Sequence, residues 1–282
     1  MALLLVACAV SLIEAVLLGV LQGLTEFLPV SSSGHLRVAP AFLGWDDPGA
    51  GFTAVVQLGT MAAVLLHFRG DLWRIGKSWV RSLSSRRCRG ERDARLGWYL
   101  IVATIPIAVF GLVFSDQIES GARDLRAVAS ALIVFGLLLH VADRRGAKAK
   151  SVAEVNHRDG VAIGLAQSLA LIPGVSRSGA TITAGLLAGY RRTDAARFSF
   201  LLSIPAVVLS GLFQLRDVAG GGSAGFGATV LATGAAFVVG YASIAWLLRW
   251  LTTHSTSIFV VYRLALGVLL WVFLALGALH PR

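Results

Sequence analysis

The chain has 282 residues, of which 56% are hydrophobic and only 14% charged, with a mean hydropathy of +0.75. That composition lies outside the range of soluble globular domains and excludes an ordinary water-soluble core. A formal charge of +10 would suit a nucleic-acid binder, but the placement of the charges argues against that reading.

In chain order, Ala15–Thr25 is an uncharged stretch between Glu14 and Glu26, too short to cross a bilayer as a helix. It runs into Pro29-Val30-Ser31-Ser32-Ser33, then His35–Trp45 and the polar turn Asp46-Asp47-Pro48-Gly49. Charge-free runs follow at Phe52–Phe68, Gly97–Phe114 and Ala127–Ala142. After the basic loop 143–158, Gly160–Ile172 leads to a second break at Pro173-Gly174-Val175-Ser176, and Ser178–Tyr190 returns to Arg191-Arg192. Thr193-Asp194 is expected to open a helix, with the Thr hydroxyl capping free N–H groups. Further runs lie at Phe198–Leu215, Phe226–Leu248 and Leu264–His280, the last beginning near Ser257 if Arg263 snorkels. Gly220-Gly221-Gly222-Ser223 reads as a flexible outer loop without chemistry.

The expected fold is an all-α polytopic membrane protein with six full transmembrane helices and two re-entrant helical hairpins. Eighteen Lys and Arg fall in four stretches: Arg69 to Arg95, Arg144 to Arg158, Arg191 to Arg197, and Arg249. Placing these in the cytoplasm leaves Arg37, Arg123, Arg126, Arg216 and Arg282 outside, which satisfies the positive-inside rule. Anionic lipid, rather than RNA, is the expected partner of Arg86–Arg95. Cys8 and Cys88 then lie on opposite sides and form no disulfide. No cleaved signal peptide is apparent.

One short pattern occurs twice, 145 residues apart. At that offset Gly19, Gln22, Leu24, Val30, Ser31, Ser33 and Gly34 fall on Gly164, Gln167, Leu169, Val175, Ser176, Ser178 and Gly179. A broken helix at membrane depth is tolerated where it lines a polar cavity, and two breaks at matching positions of two halves point to one shared site. The chain therefore reads as a single membrane domain of two pseudo-repeats, 1–142 and 159–282. Three spans in each make the repeat inverted, with both termini outside.

Each break offers serine hydroxyls and the positive start of a helix, a combination suited to phosphate. Arg177 adds a permanent charge and a planar fork. Its natural partner at that depth is a bound anion or a carboxylate, and a structural ion pair with Glu26 is the plainer alternative. Glu26 can orient water, act as a base or hold a divalent cation. Gln22, one turn earlier on the same face, can bind phosphate or water but is no base. His35 can protonate a leaving oxygen, deprotonate a serine or attack phosphorus. His67, His140, His157, His254 and His280 read as packing or surface residues, and Glu14 as an exposed acid.

Gln22-Gly-Leu-Thr-Glu26-Phe-Leu-Pro-Val-Ser-Ser-Ser-Gly-His35 and Pro173-Gly-Val-Ser-Arg177-Ser-Gly-Ala-Thr resemble the two signatures of the bacterial undecaprenyl-pyrophosphate phosphatases of the bacitracin-resistance type. Phe52-Thr-Ala-Val-Val-Gln-Leu-Gly, Phe198-Ser-Phe-Leu-Leu-Ser-Ile-Pro and Tyr262-Arg263 extend the likeness over essentially the whole chain. The resemblance implies removal of the terminal phosphate of undecaprenyl pyrophosphate, in the bacterial plasma membrane, at a site open to the outer face. It assigns catalysis to the positions of Glu26, Ser32, His35 and Arg177, and phosphate contacts to Ser31, Ser33, Ser176, Ser178 and Thr181. Many members carry glutamate where this chain has Gln22, which favours Glu26 as the sole catalytic acid and as the metal ligand. A divalent cation, Mg or Ca, is the expected cofactor. Expected partners are a polyprenyl pyrophosphate lipid, bacitracin competing by binding that substrate, and membrane lipids. A homodimer is left open, and nucleic acid is not expected. The rival class is a secondary transporter or flippase of lipid phosphates, which needs the positive cradle but no poised nucleophile and base.

Overall fold

The computed structural model describes residues 10–46, 49–114, 117, 124–218 and 225–281. Cys8 and the Gly220–Ser223 stretch lie outside the described residues. The described chain is helical almost throughout, with one isolated bridge between Lys150 and Tyr190. Its helices are α1 (Leu12–Phe27), α2 (Ser32–Leu43), α3 (Gly49–His67), α4 (Arg69–Ser84), α5 (Arg92–Val113) and α6 (Leu125–Arg145). They continue with α7 (His157–Ser168), α8 (Arg177–Leu187), α9 (Arg192–Val218), α10 (Phe226–Thr253) and α11 (Ser257–Ala275).

Five of the six charge-free runs fall on helices to within a residue, and the sixth, Leu264–His280, leaves its helix after Ala275. Among the described residues, α5, α6, α10 and α11 are long and apolar enough to cross a membrane unaided. A fifth candidate joins Gly51–His67 to Arg69–Ser84 across a 76° bend, where the apolar α3 gives way to the basic α4. These apolar helices make the chain a membrane protein. The first helix of each motif is shorter: α1 has 16 residues and α7 has 12. At about 1.5 Å per residue, neither reaches the ~30 Å of a hydrocarbon core.

Local chemistry sets the helix starts. Ser11 and Glu14 form a capping box on α1, which gives Glu14 a task beyond exposure. Asn156 caps α7 by accepting from the Asp159 N–H. Thr193 does not cap α9, which begins one residue earlier at Arg192. The Asp194 carboxylate there accepts from the Val152 N–H and the Arg191 guanidinium.

The motif helices pack crosswise. The first-half helix α1 lies on α10 of the second half, and α7 lies on α5 of the first half. At Gly19 a Cβ would collide with the Ala232 backbone, and at Gly164 with the Ala103 backbone. Both contacts need a bare Cα, because helix meets helix at backbone distance. Helix α11 pairs with α6, and α8 sits between α6 and α9. The core behind the breaks includes Phe27, Phe68, Phe198, Phe200 and Ile182, all buried. Phe27 meets Phe200 edge-on at 5.4 Å.

The basic stretches gather through ion pairs. Arg197 of α9 bonds Asp71 of α4, and Arg192 bonds Asp143 of α6 at 2.6 Å. The other Asp143 oxygen accepts from the N–H and hydroxyl of Thr256, just before α11. Tyr190 donates to Asp159, and burial together with that carboxylate pushes its phenol well above the ordinary tyrosine range.

Candidate functional site

The two breaks are built alike. Ser31 precedes α2 with φ 79°, and Ser176 precedes α8 with φ 74°. Each serine side chain accepts from the N–H three residues on, Gly34 at 3.3 Å and Gly179 at 3.1 Å. Positive φ at a non-glycine residue costs on the order of 1–3 kcal/mol and persists only where its surroundings hold it. Here the cap bond recovers part of that cost at both places.

Between the breaks, Glu26 is the hub. Its Oε1 accepts from Arg177 Nη2 at 2.6 Å, and its Oε2 from Ser32 Oγ at 2.7 Å and Gln22 Nε2 at 3.1 Å. Arg177 also donates to the Ser203 carbonyl of α9 at 3.3 Å. The ion pair expected as the plainer alternative is therefore present, yet neither side chain is sealed: Arg177 is 16% exposed and Glu26 8%. Ser32 is half-buried and Ser33 exposed, so the cluster opens along the serine loop. A hydroxyl against a carboxylate, beside a guanidinium and two helix starts, can bind an anion and lose a proton.

Other expected site residues serve as braces. Ser178 Oγ donates to the Leu28 carbonyl at 3.0 Å, tying the second break to the first. Thr181, 1% exposed, bonds its own helix and meets Ser199 Oγ at 2.6 Å. Ser31 and Ser176 also contact Ser33 and Ser178 respectively. His35 stands apart from the Glu26 cluster in its hydrogen bonding. Its Nδ1 lies 2.7 Å from the Ser31 carbonyl and its Nε2 2.6 Å from the Tyr262 hydroxyl. The remaining carboxylates do not join Glu26: among the described residues no group of three or more His, Cys, Asp or Glu is placed to hold a metal ion.

Arg263 corrects the sequence reading. It was expected to snorkel, but it is 0% exposed. Its guanidinium donates to five backbone carbonyls: Pro29 of the first break, Gly174 and Val175 of the second, and Ala131 and Leu132 of α6. One fixed charge thus holds both breaks together. Sequence reasoning gave no site role to Tyr262, Arg263, Ser199 or Ser203. The available signals were an arginine inside an apolar run with a tyrosine beside it, and two serines four apart in another.

Comparison with known proteins agrees with the motifs. The family described as "Bacitracin resistance protein BacA" matches residues 15–269. A protein of Thermobifida fusca named undecaprenyl-diphosphatase is 54% identical over 272 residues, covering 96% of this chain and 93% of its own length. One of the same name from a Nocardioides species is 52% identical, covering 96% of this chain and 99% of its own. The undecaprenyl-diphosphatase 2 of Streptomyces avermitilis is also 52% identical, over 95% of this chain and 97% of its own length. With both signatures intact and the match running nearly end to end, the chain belongs to the bacitracin resistance protein BacA family.

Proposed function

We propose that this chain is an integral membrane phosphatase that hydrolyses undecaprenyl pyrophosphate to undecaprenyl phosphate and phosphate. Its relatives carry that name, and the observation that carries the reading is the contact of Glu26 with both Ser32 and Arg177 across the two breaks. The product would return the lipid carrier to cell-wall synthesis. Bacitracin, by binding the substrate, would compete with the enzyme for it, which would fit a family described by bacitracin resistance.

In this reading the diphosphate enters between the starts of α2 and α8 and takes Arg177 as its counter-ion, releasing Glu26 from the ion pair. Arg177 and the helix starts then stabilise charge on the transferring phosphoryl group. Glu26 accepts the proton of the Ser32 hydroxyl as that oxygen attacks the terminal phosphorus, and undecaprenyl phosphate leaves. Water then frees the phosphate from Ser32, with His35 carrying a proton between the water and the departing oxygen. Ser31, Ser33, Ser176, Ser178 and Thr181 shape the phosphate cradle, and Gln22 orients Glu26. A Mg or Ca ion arriving with the diphosphate needs only one protein carboxylate, because Mg commonly pairs few carboxylates with substrate phosphates. Glu26 is the residue to hold it.

The crossed packing of α1 on α10 and α7 on α5 supports two inverted pseudo-repeats, 1–142 and 159–282, with each motif a re-entrant hairpin. The basic end supports a plasma-membrane orientation with residues 69–95 inside and the site open outward. The test is phosphate release from undecaprenyl pyrophosphate by purified protein in detergent, with and without chelator. Turnover that falls on chelation is expected. Binding of the lipid without turnover would instead favour the transporter or flippase reading.

A further inference from the structure

His35 is 5% exposed, so both ring nitrogens need partners inside the protein. A carbonyl oxygen only accepts, so the 2.7 Å contact with Ser31 fixes a proton on Nδ1. The other nitrogen, Nε2, is therefore the one free to change state, and it faces the Tyr262 hydroxyl at 2.6 Å. A hydroxyl can answer either state. It donates to Nε2 of the neutral ring and accepts from Nε2–H of the charged ring, with no heavy atom moving. The two rings also lie parallel, 10° apart with centroids at 5.5 Å, which fixes the imidazole plane. Tyr262 is half exposed, so its hydroxyl hydrogen can turn away from the ring. The charged group facing His35 is Arg263, the next residue of α11, which opposes a second positive charge there. An acceptor lone pair at Tyr262 offsets that opposition.

We propose that Tyr262 acts through His35 as its proton relay, so that the buried imidazole can take up and release a proton in each turnover. The proposal rests on the proton-carrying role of His35 given above. In the step concerned, an O–H bond of the hydrolytic water breaks as its oxygen attacks the Ser32-bound phosphorus. That proton goes to the Tyr262 oxygen as the Tyr262 hydroxyl proton passes to the Nε2 lone pair facing it, and the reverse shift delivers a proton to the departing oxygen. Tyr262 exchanges one proton for another and stays neutral before and after each shift.

The experiment compares Tyr262→Phe, His35→Gln and the double variant by kcat, KM and pH profile of phosphate release. Tyr262→Phe keeps the ring and removes the hydroxyl. It is expected to lower kcat by about tenfold or more with KM within about twofold. The pH-profile limb that His35→Gln abolishes should be displaced in Tyr262→Phe, and the double variant should be no slower than His35→Gln alone. Wild-type kcat and profile in Tyr262→Phe, or additive losses in the double variant, would overturn the proposal. Near-normal turnover by His35→Gln would instead sink the role of His35 beneath it. Should Tyr262→Phe not accumulate, ¹⁵N NMR of the imidazole in wild-type protein decides: an Nδ1–H neutral tautomer is expected, and Nε2–H contradicts the scheme.

Discussion

At the scale of single residues, Glu26 is bound on both sides, and that makes its partners separable by substitution. Arg177→Ala removes the counter-ion meant for the diphosphate. Phosphate release is expected to fall by at least about a hundredfold at unchanged protein level, since charged transition-state contacts of this kind contribute that much. Ser32→Ala leaves Glu26 and Arg177 paired but removes the attacking oxygen, so a comparable loss is expected in the same assay. Substantial turnover by Ser32→Ala would mean that water attacks directly. Arg263 belongs to stability rather than chemistry, because all its bonds go to backbone carbonyls. Arg263→Met leaves those carbonyls buried without donors, at about 1–3 kcal/mol for each one that finds no water. A clear drop in melting temperature in detergent is expected, larger than for Arg177→Ala. Glu26, Ser32 and Arg177 were legible in the sequence because polar residues at a break have little else to do there. Arg263 was not, because an arginine near the end of an apolar run looks the same whether it reaches outward or inward. Only the carbonyls brought to it by three other elements decide the direction.

At the scale of elements, the two breaks could be read from Pro, Gly and Ser interrupting apolar runs, and their correspondence from the 145-residue offset. The matching positive φ at Ser31 and Ser176 could not, since serine favours no such conformation and only the finished cap rewards it. Nor did hydropathy reveal that the basic stretch after Phe68 folds into the sixteen-residue helix α4. Its Leu72, Ile75, Trp79 and Leu83 recur at helical spacing on one face, but Arg69, Arg74, Lys77 and Arg81 keep the stretch too polar to read as a span. The glycines of the motifs had a purpose that the pattern showed and did not explain. Gly164 lets α7 rest on the backbone of Ala103, so Gly164→Leu is expected to push the two helices apart. Thermal unfolding in detergent should then occur well below the wild-type temperature. Gly227→Ala is the control, because a Cβ there meets open space and should change little.

At the scale of the whole molecule, charge and packing must agree on one orientation. The ion pairs Arg197–Asp71 and Arg192–Asp143 draw α4, α6 and α9 together at one end, where the excess of Lys and Arg also falls. Cys88 sits there in a short turn between α4 and α5, partly exposed and free. Asp46, exposed just after α2, is assigned to the opposite end by the span count. In a Cys8→Ser background, a membrane-impermeant maleimide should label Cys88 only after spheroplasts are permeabilised. With Cys88→Ser added, the Asp46→Cys variant should be labelled in intact spheroplasts. Labelling of Cys88 from outside would invert the molecule and put the basic helix on the wrong leaflet. Since the proposed site opens on the serine-loop side, the same result would also turn its mouth toward the cytoplasm. The lipid pyrophosphate would then have to be hydrolysed on the inner leaflet, so this one labelling pattern tests charge asymmetry, span count and substrate access together.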